Sequence, residues 1–199
     1  MTQDIITNGY FTDDYIQKVR NYRSLIKKLT ESASPDAGHV DRLKAAVKNS
    51  GATHASLMTE DWCGDSACNV PILSKLFEGA GLPFRIIRGS EVTNVKEFYE
   101  NDGATHIPVV SIWDDDENEL ARWIEAPEAV ARRKDAWKKE HPEFEELYEK
   151  QKSGDTEAMK KFGALYRQFL EEMAGWYRDE NQWSETTREI VEGLEQSAR

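Results

Sequence analysis

The chemistry-bearing groups of this chain gather in TEDWCGDSACNVP, residues 59–71, which holds both of its cysteines, Cys63 and Cys68. A strand pattern, HASLMTE, stops at Glu60, and a helical pattern starts near Gly64. Cys63 therefore falls on the turn between them. There its sulfur faces unpaired backbone N–H groups and the positive end of a helix dipole, both of which favour thiolate over thiol. Gly64 lets the backbone turn tightly beside the sulfur. Glu60, Asp61 and Asp65 oppose the effect, because crowded negative charge raises a thiol pKa. The balance expected is a moderately activated nucleophile.

No second sulfur is placed to finish the reaction. Ser66, three residues on, has the right helical offset and the wrong atom: its hydroxyl can hydrogen-bond a thiolate but cannot displace a mixed disulfide. Cys68 lies five residues on, about 7.5 Å of rise and roughly 140° of rotation away on a regular helix. Disulfides want Cα atoms within about 7 Å and facing Cβ vectors. Cys68 reads as a small buried apolar residue instead. The chemistry indicated is attack by Cys63 on a disulfide or sulfenic acid, followed by release through an external thiol.

Three zones surround this stretch. Residues 1–51 read as a helical extension: Tyr15, Val19, Tyr22, Ile26 and Leu29 form one helical stripe with Thr12 as its N-cap, and a second helix ends at Gly51. Residues 52–139 alternate strand and helix signals in the order β-α-β-α-β-β-α. That order calls for one parallel crossover unit and one antiparallel hairpin in a single mixed sheet. Strands are expected at 54–60, 83–89, 107–113 and 119–125, and a helix at 64–79 that Pro71 should kink. Ile107-Pro108, at the entry to the third strand, invites a cis bond. Residues 140–199 read as a helical extension packed on the core, with Phe162, Leu165, Tyr166, Phe169, Leu170, Met173, Trp176 and Tyr177 as its packing stripe.

Composition narrows the function classes. The chain has 199 residues, 39% hydrophobic and 32% charged, which fits a folded globular protein. A net charge of −11 argues against nucleic-acid backbones and anionic membranes as partners. No signal sequence and no apolar run near the ~20 residues of a bilayer span are evident, so a cytoplasmic setting with reduced thiols is expected. Two cysteines and four histidines make no metal-ligand pattern, and neither a metal nor another cofactor is expected.

Taken together, the strand leading into Trp62-Cys63-Gly64-Asp65-Ser66, the helix with proline eight places after the cysteine, and the Ile-Pro entering a later strand resemble the thioredoxin superfamily. DWCGD followed by NVPIL and GATHIPVV is similar to a small thioredoxin-like family whose members often keep only the first cysteine. The resemblance spans about 52–126 and implies an α/β thioredoxin-like fold, a central mixed sheet flanked by helices, with helical extensions at both ends. It implies that Cys63 attacks and that Trp62 is the exposed ring beside it. Pro108 would be a cis-proline whose neighbour Ile107 lies against the sulfur and pairs with an extended substrate. Gly64, Asp65 and His106 would border the same surface, His106 as proton donor or charge partner, or simply as an exposed loop residue. Ser66 departs from the dithiol pattern. CGDS is also similar to the CGFS of single-cysteine glutaredoxins, which use glutathione, though the surrounding acids suit that ligand's carboxylates poorly. The partner expected is a protein or small-molecule thiol or disulfide. The alternative is a redox-silent thioredoxin-fold interaction module.

Overall fold

A computed structural model describes residues 2–197. The chain divides into two compact units, one running up to Ala126 and resuming at Trp183, the other spanning Pro127–Gln182.

The first unit is built on a four-stranded sheet of order β2-β1-β3-β4, from β1 (His54–Thr59), β2 (Phe84–Arg88), β3 (Val109–Trp113) and β4 (Glu119–Ile124). β1 pairs parallel with β2 and antiparallel with β3, and β3 and β4 form the antiparallel hairpin. This is an α/β thioredoxin-like fold, a mixed sheet flanked by helices. β1 lies between two neighbours with both faces covered, which is why all six of its residues are buried, the polar His54, Ser56 and Thr59 included. Register puts Leu57, Ile86 and Val110 on one face. The helix α5 (Gly64–Ala80) covers that side, its Phe77 ring 4.9 Å from Phe84. Met58, Ile87, Val109 and Trp113 point the other way and form a core with Ile5, Val95 and Tyr99. On that face Trp113 Nε1 donates to Ser56 Oγ at 2.9 Å, and Tyr99 Oη to Ser111 Oγ at 2.8 Å.

Ahead of the sheet come α1 (Thr2–Asn8), α2 (Thr12–Lys18), α3 (Arg23–Ser32) and α4 (Ala37–Ser50). The stripe from Tyr15 to Leu29 is thus two helices, not one. Tyr22 sits at φ 57, and the break is held by side chains: Val19 O accepts from Arg23 Nε and Nη2 at 3.1 and 2.8 Å, and Asp61 accepts the Arg20 N–H. Thr12 is the first helical residue rather than the cap; Phe11 is the cap and offers no side-chain acceptor. α4 ends at Gly51, whose φ of 77 suits a residue without Cβ. Pro71 lies inside α5, which continues through it.

Between β2 and β3 runs α6 (Thr93–Asn101), and α10 (Gln182–Ser197) closes the unit from the far end of the chain. Trp183 Nε1 donates to Cys68 O at 2.9 Å, Thr186 Oγ1 to Asn69 Oδ1 at 3.0 Å, and Trp123 Nε1 to Glu189 Oε2 at 2.9 Å. The second unit holds α7 (Glu128–Glu140), α8 (Glu143–Lys152) and α9 (Thr156–Asp179). Within it Trp137 stacks on His141 at 3.8 Å and meets Phe169 at 4.6 Å. Phe169, Leu170, Met173, Trp176 and Tyr177 are buried, whereas Phe162, Leu165 and Tyr166 are half-exposed. Among the described residues no helix is long and apolar enough to cross a membrane.

Candidate functional site

Cys63 is the N-cap of α5, reached by a tight turn from the end of β1. Its Sγ accepts the Ser66 N–H at 3.4 Å, so the sulfur does the capping that a Ser or Asp side chain usually does. The thiol donates in turn to the carbonyl of Ile107, also at 3.4 Å. Ile107-Pro108 is a cis peptide immediately before β3. The central pairing of β1 with β3 thus brings two segments 44 residues apart into contact at one sulfur.

Trp62, next to the sulfur, is 62% exposed, whereas Cys63 itself is 6% exposed. Gly64 opens α5 and is buried, and Asp65 is half-buried in the first turn. Ser66 is 1% exposed and forms a very short hydrogen bond with Thr59 Oγ1. His106 is exposed, with its Nδ1 2.9 Å from Thr105 Oγ1, and lines a cleft together with Trp62 and Ile107. Cys68 is fully buried on α5, and it and Cys63 are not bridged.

Activation of Cys63 does not follow from its helix position. Burial pushes the thiol up to about 11, and the Asp65 carboxylate adds to the rise. Hydrogen bonds from Ser66 and the Asp65 backbone pull the other way and lose. In the resting protein the group is a thiol, which matches its donation to Ile107 O. At pH 7 the thiolate fraction is about a hundredfold below that of a free thiol, and the greater nucleophilicity of a high-pKa thiolate returns about tenfold. Alkylation of Cys63 by iodoacetamide should therefore run about tenfold slower than for free cysteine at neutral pH. It should still be climbing at about pH 10, where a free thiol has levelled off. A plateau near neutrality would contradict the burial argument.

Sequence reasoning missed the arginines. Arg88, the last residue of β2, has a side chain only 5% exposed, and its Nε donates to Asp61 Oδ1 at 2.7 Å. Its Nη1 reaches Glu91 at 2.9 Å and Tyr10 Oη at 3.3 Å. Asp61 Oδ2 takes the Arg20 N–H at 3.1 Å and pairs with Arg20 Nε at 3.3 Å. Glu60 accepts from the Ser90 N–H and hydroxyl at 2.6 and 2.9 Å. Glu60 and Asp61 are thus tied to other partners, and they anchor the Trp62–Cys63 turn to β2 and to the α2–α3 break. The signal available in sequence was the arginine that follows two isoleucines at the end of FRIIR, since a buried guanidinium needs a carboxylate.

A sulfur capping a helix against a cis-proline at a neighbouring strand is an arrangement that comparison with known proteins can place. The thioredoxin family model matches residues 9–138. The chain belongs to the thioredoxin family. A protein of unknown function from Pseudomonas aeruginosa, solved by crystallography, is similar in structure with a TM-score of 0.60 and 16% identity, covering 98% of this chain and 97% of that one. A crystal structure of an HIV epitope scaffold is similar with a TM-score of 0.50 and 18% identity, over 65% of this chain and 79% of that one. At those identities the likeness is one of fold. None of the curated proteins compared matches the chain.

Proposed function

We propose that this thioredoxin-family chain exchanges disulfides through the single thiol of Cys63. What carries the reading is one juxtaposition: the Cys63 sulfur caps α5 and lies 3.4 Å from the carbonyl that precedes Pro108, with the exposed Trp62 ring beside it. In the first step the Cys63 thiolate attacks one sulfur of R–S–S–R′, forming Cys63–S–S–R and expelling R′–S⁻. An external thiolate R″–S⁻ then attacks the R sulfur, giving R–S–S–R″ and returning Cys63–S⁻, which takes up a proton. The net change is an exchange, in which R–S–S–R′ and R″–S⁻ become R–S–S–R″ and R′–S⁻, and no second protein sulfur takes part. Ile107 and Pro108 offer the backbone edge against which an extended substrate docks; Gly64, Asp65 and His106 border it. A reducing cytosol supplies the external thiol.

Burial and a raised pKa favour a second reading, a redox-silent interaction module in which Cys63 is a packed thiol. One experiment separates the two. Folded protein is incubated with 2-hydroxyethyl disulfide and analysed by mass spectrometry of intact chain and peptides. Exchange chemistry gives one adduct, on Cys63, and none in Cys63→Ser. An adduct that appears only in denaturant assigns the silent module instead.

A further inference from the structure

We propose that Thr186 and Asn69 are positioning residues for the Cys63 thiolate, the first links of a hydrogen-bond relay that runs from α10 to the sulfur; the inference rests on the single-thiol reading above. The links are consecutive. Thr186 Oγ1 donates to Asn69 Oδ1 at 3.0 Å, and Asn69 Nδ2 donates to Asp65 O, also at 3.0 Å. The Asp65 carbonyl and the Ser66 N–H belong to one planar peptide group, so holding the first orients the second. That N–H points at Cys63 Sγ from 3.4 Å. Each group thus donates to the next in the direction of the sulfur. An amide whose carbonyl accepts a hydrogen bond becomes a stronger donor, and both amides of the series are polarised in this sense. Negative charge forming on Cys63 meets a donor that α10 has already aimed and strengthened.

The placement of the two side chains supports this role. Asn69 and Thr186 are both fully buried, and Asn69 sits in α5 between the buried Cys68 and Val70. Asparagine is a poor residue for a helix interior, and a fully satisfied buried polar pair fixes one geometry rather than adding much stability. α5 needs that help near its start. Pro71 has no N–H, so the ladder lacks the bond to the Ala67 carbonyl. α10 grips the same stretch at a second point, where Trp183 Nε1 donates to Cys68 O at 2.9 Å. The cover over the sulfur comes from elsewhere, from Ile107 and from the turn that Glu60 and Asp61 anchor. Breaking the relay therefore weakens the donor without uncovering the thiol.

The test is the rate at which iodoacetamide alkylates Cys63 in the folded chain, followed by mass from pH 7 to 10 with Cys63→Ser as the blank. Urea unfolding of each variant is measured beside it. A thiol made about tenfold less acidic holds about tenfold less thiolate over this range, and its greater nucleophilicity returns about threefold. Thr186→Val keeps the shape and loses the hydroxyl; it should react about threefold more slowly than the native chain at every pH. Thr186→Ser keeps the hydroxyl and loses a methyl; it should react at the native rate. Asn69→Leu/Thr186→Val replaces both partners by apolar groups, so its unfolding midpoint should return close to native while alkylation stays slow. A packing role predicts the reverse on both counts: serine the poorer substitute, and reactivity recovered along with stability. Equal or faster alkylation in Thr186→Val, or a native rate in the double variant, would overturn the proposal. Alkylation needs no disulfide exchange. Should the native chain form no adduct with 2-hydroxyethyl disulfide, it is the exchange reading that fails, and the alkylation rates still judge the relay.

Discussion

Asp61→Ala will destabilise the first unit by about 3 kcal/mol, at the low end of the ~3–5 kcal/mol typical when one member of a buried ion pair is removed. Asp61 is 8% exposed, and Arg88, whose Nε it accepts at 2.7 Å, has a side chain 5% exposed. Without the carboxylate the guanidinium keeps Glu91 and Tyr10 on Nη1, which softens the loss, but its Nε joins Nη2 as a buried donor without an acceptor. The Arg20 ion pair contributes less, since that side chain is mostly in water. Its backbone N–H matters more, because Asp61 is the acceptor that holds the α2–α3 break. Urea unfolding followed by tryptophan fluorescence measures the effect as a shift in midpoint at constant slope. Asp61→Leu combined with Arg88→Met should recover most of the loss, because matched apolar groups replace a buried pair at little cost. A change below about 1 kcal/mol for Asp61→Ala, the range of a surface pair, would show that the Asp61–Arg88 contact is not a buried anchor.

That anchor marks where the sequence stops being legible. β1, α5, β2 and the β3–β4 hairpin stand where period and punctuation put them, because they are set by local patterns, as where Gly81 at φ 72 closes α5. The position of Cys63 was equally plain, since a strand that stops three residues before a helix starts leaves one place for it. Its protonation was not. Whether Glu60 and Asp61 press on the sulfur depends on Ser90, Arg88 and Arg20, and no window of a few residues contains those partners. Burial, which outweighs the helix terminus, is a property of the packed turn. The same blindness joined α2 to α3. Tyr15, Val19, Ile26 and Leu29 keep helical spacing and are all buried, so the stripe looks continuous. The break at Tyr22 is stabilised by Arg23 folding back on Val19 O and by Asp61 from beyond β1, and neither contact alters the periodicity.

Ser66→Cys should raise disulfide reduction by at least about tenfold, because it supplies the resolving sulfur at the millimolar or higher effective concentration of a tethered group. Residue 66 lies one turn along α5, and its N–H already points at the Cys63 sulfur from 3.4 Å. The introduced thiolate would attack the Cys63 sulfur of the mixed disulfide, expel the substrate thiol and leave an internal disulfide that dithiothreitol reopens. Some stability is lost in exchange. The serine is 1% exposed, and its hydroxyl bonds Thr59 Oγ1, which would keep only the Glu60 carbonyl at 3.3 Å; about 1 kcal/mol is the usual scale for such a bond. A disulfide-reduction assay driven by dithiothreitol should rank the chains plainly. Cys63→Ser falls to background, and Cys68→Ser matches the native chain because that sulfur is fully buried five residues along α5. Ser66→Cys exceeds both, and adding Cys63→Ser to it abolishes the gain. Loss of activity in Cys68→Ser would mean that α5 unwinds far enough for its second sulfur to reach the first. An internal disulfide in Ser66→Cys without faster reduction would place the obstacle at substrate access, on the Trp62 and Ile107 side of the sulfur.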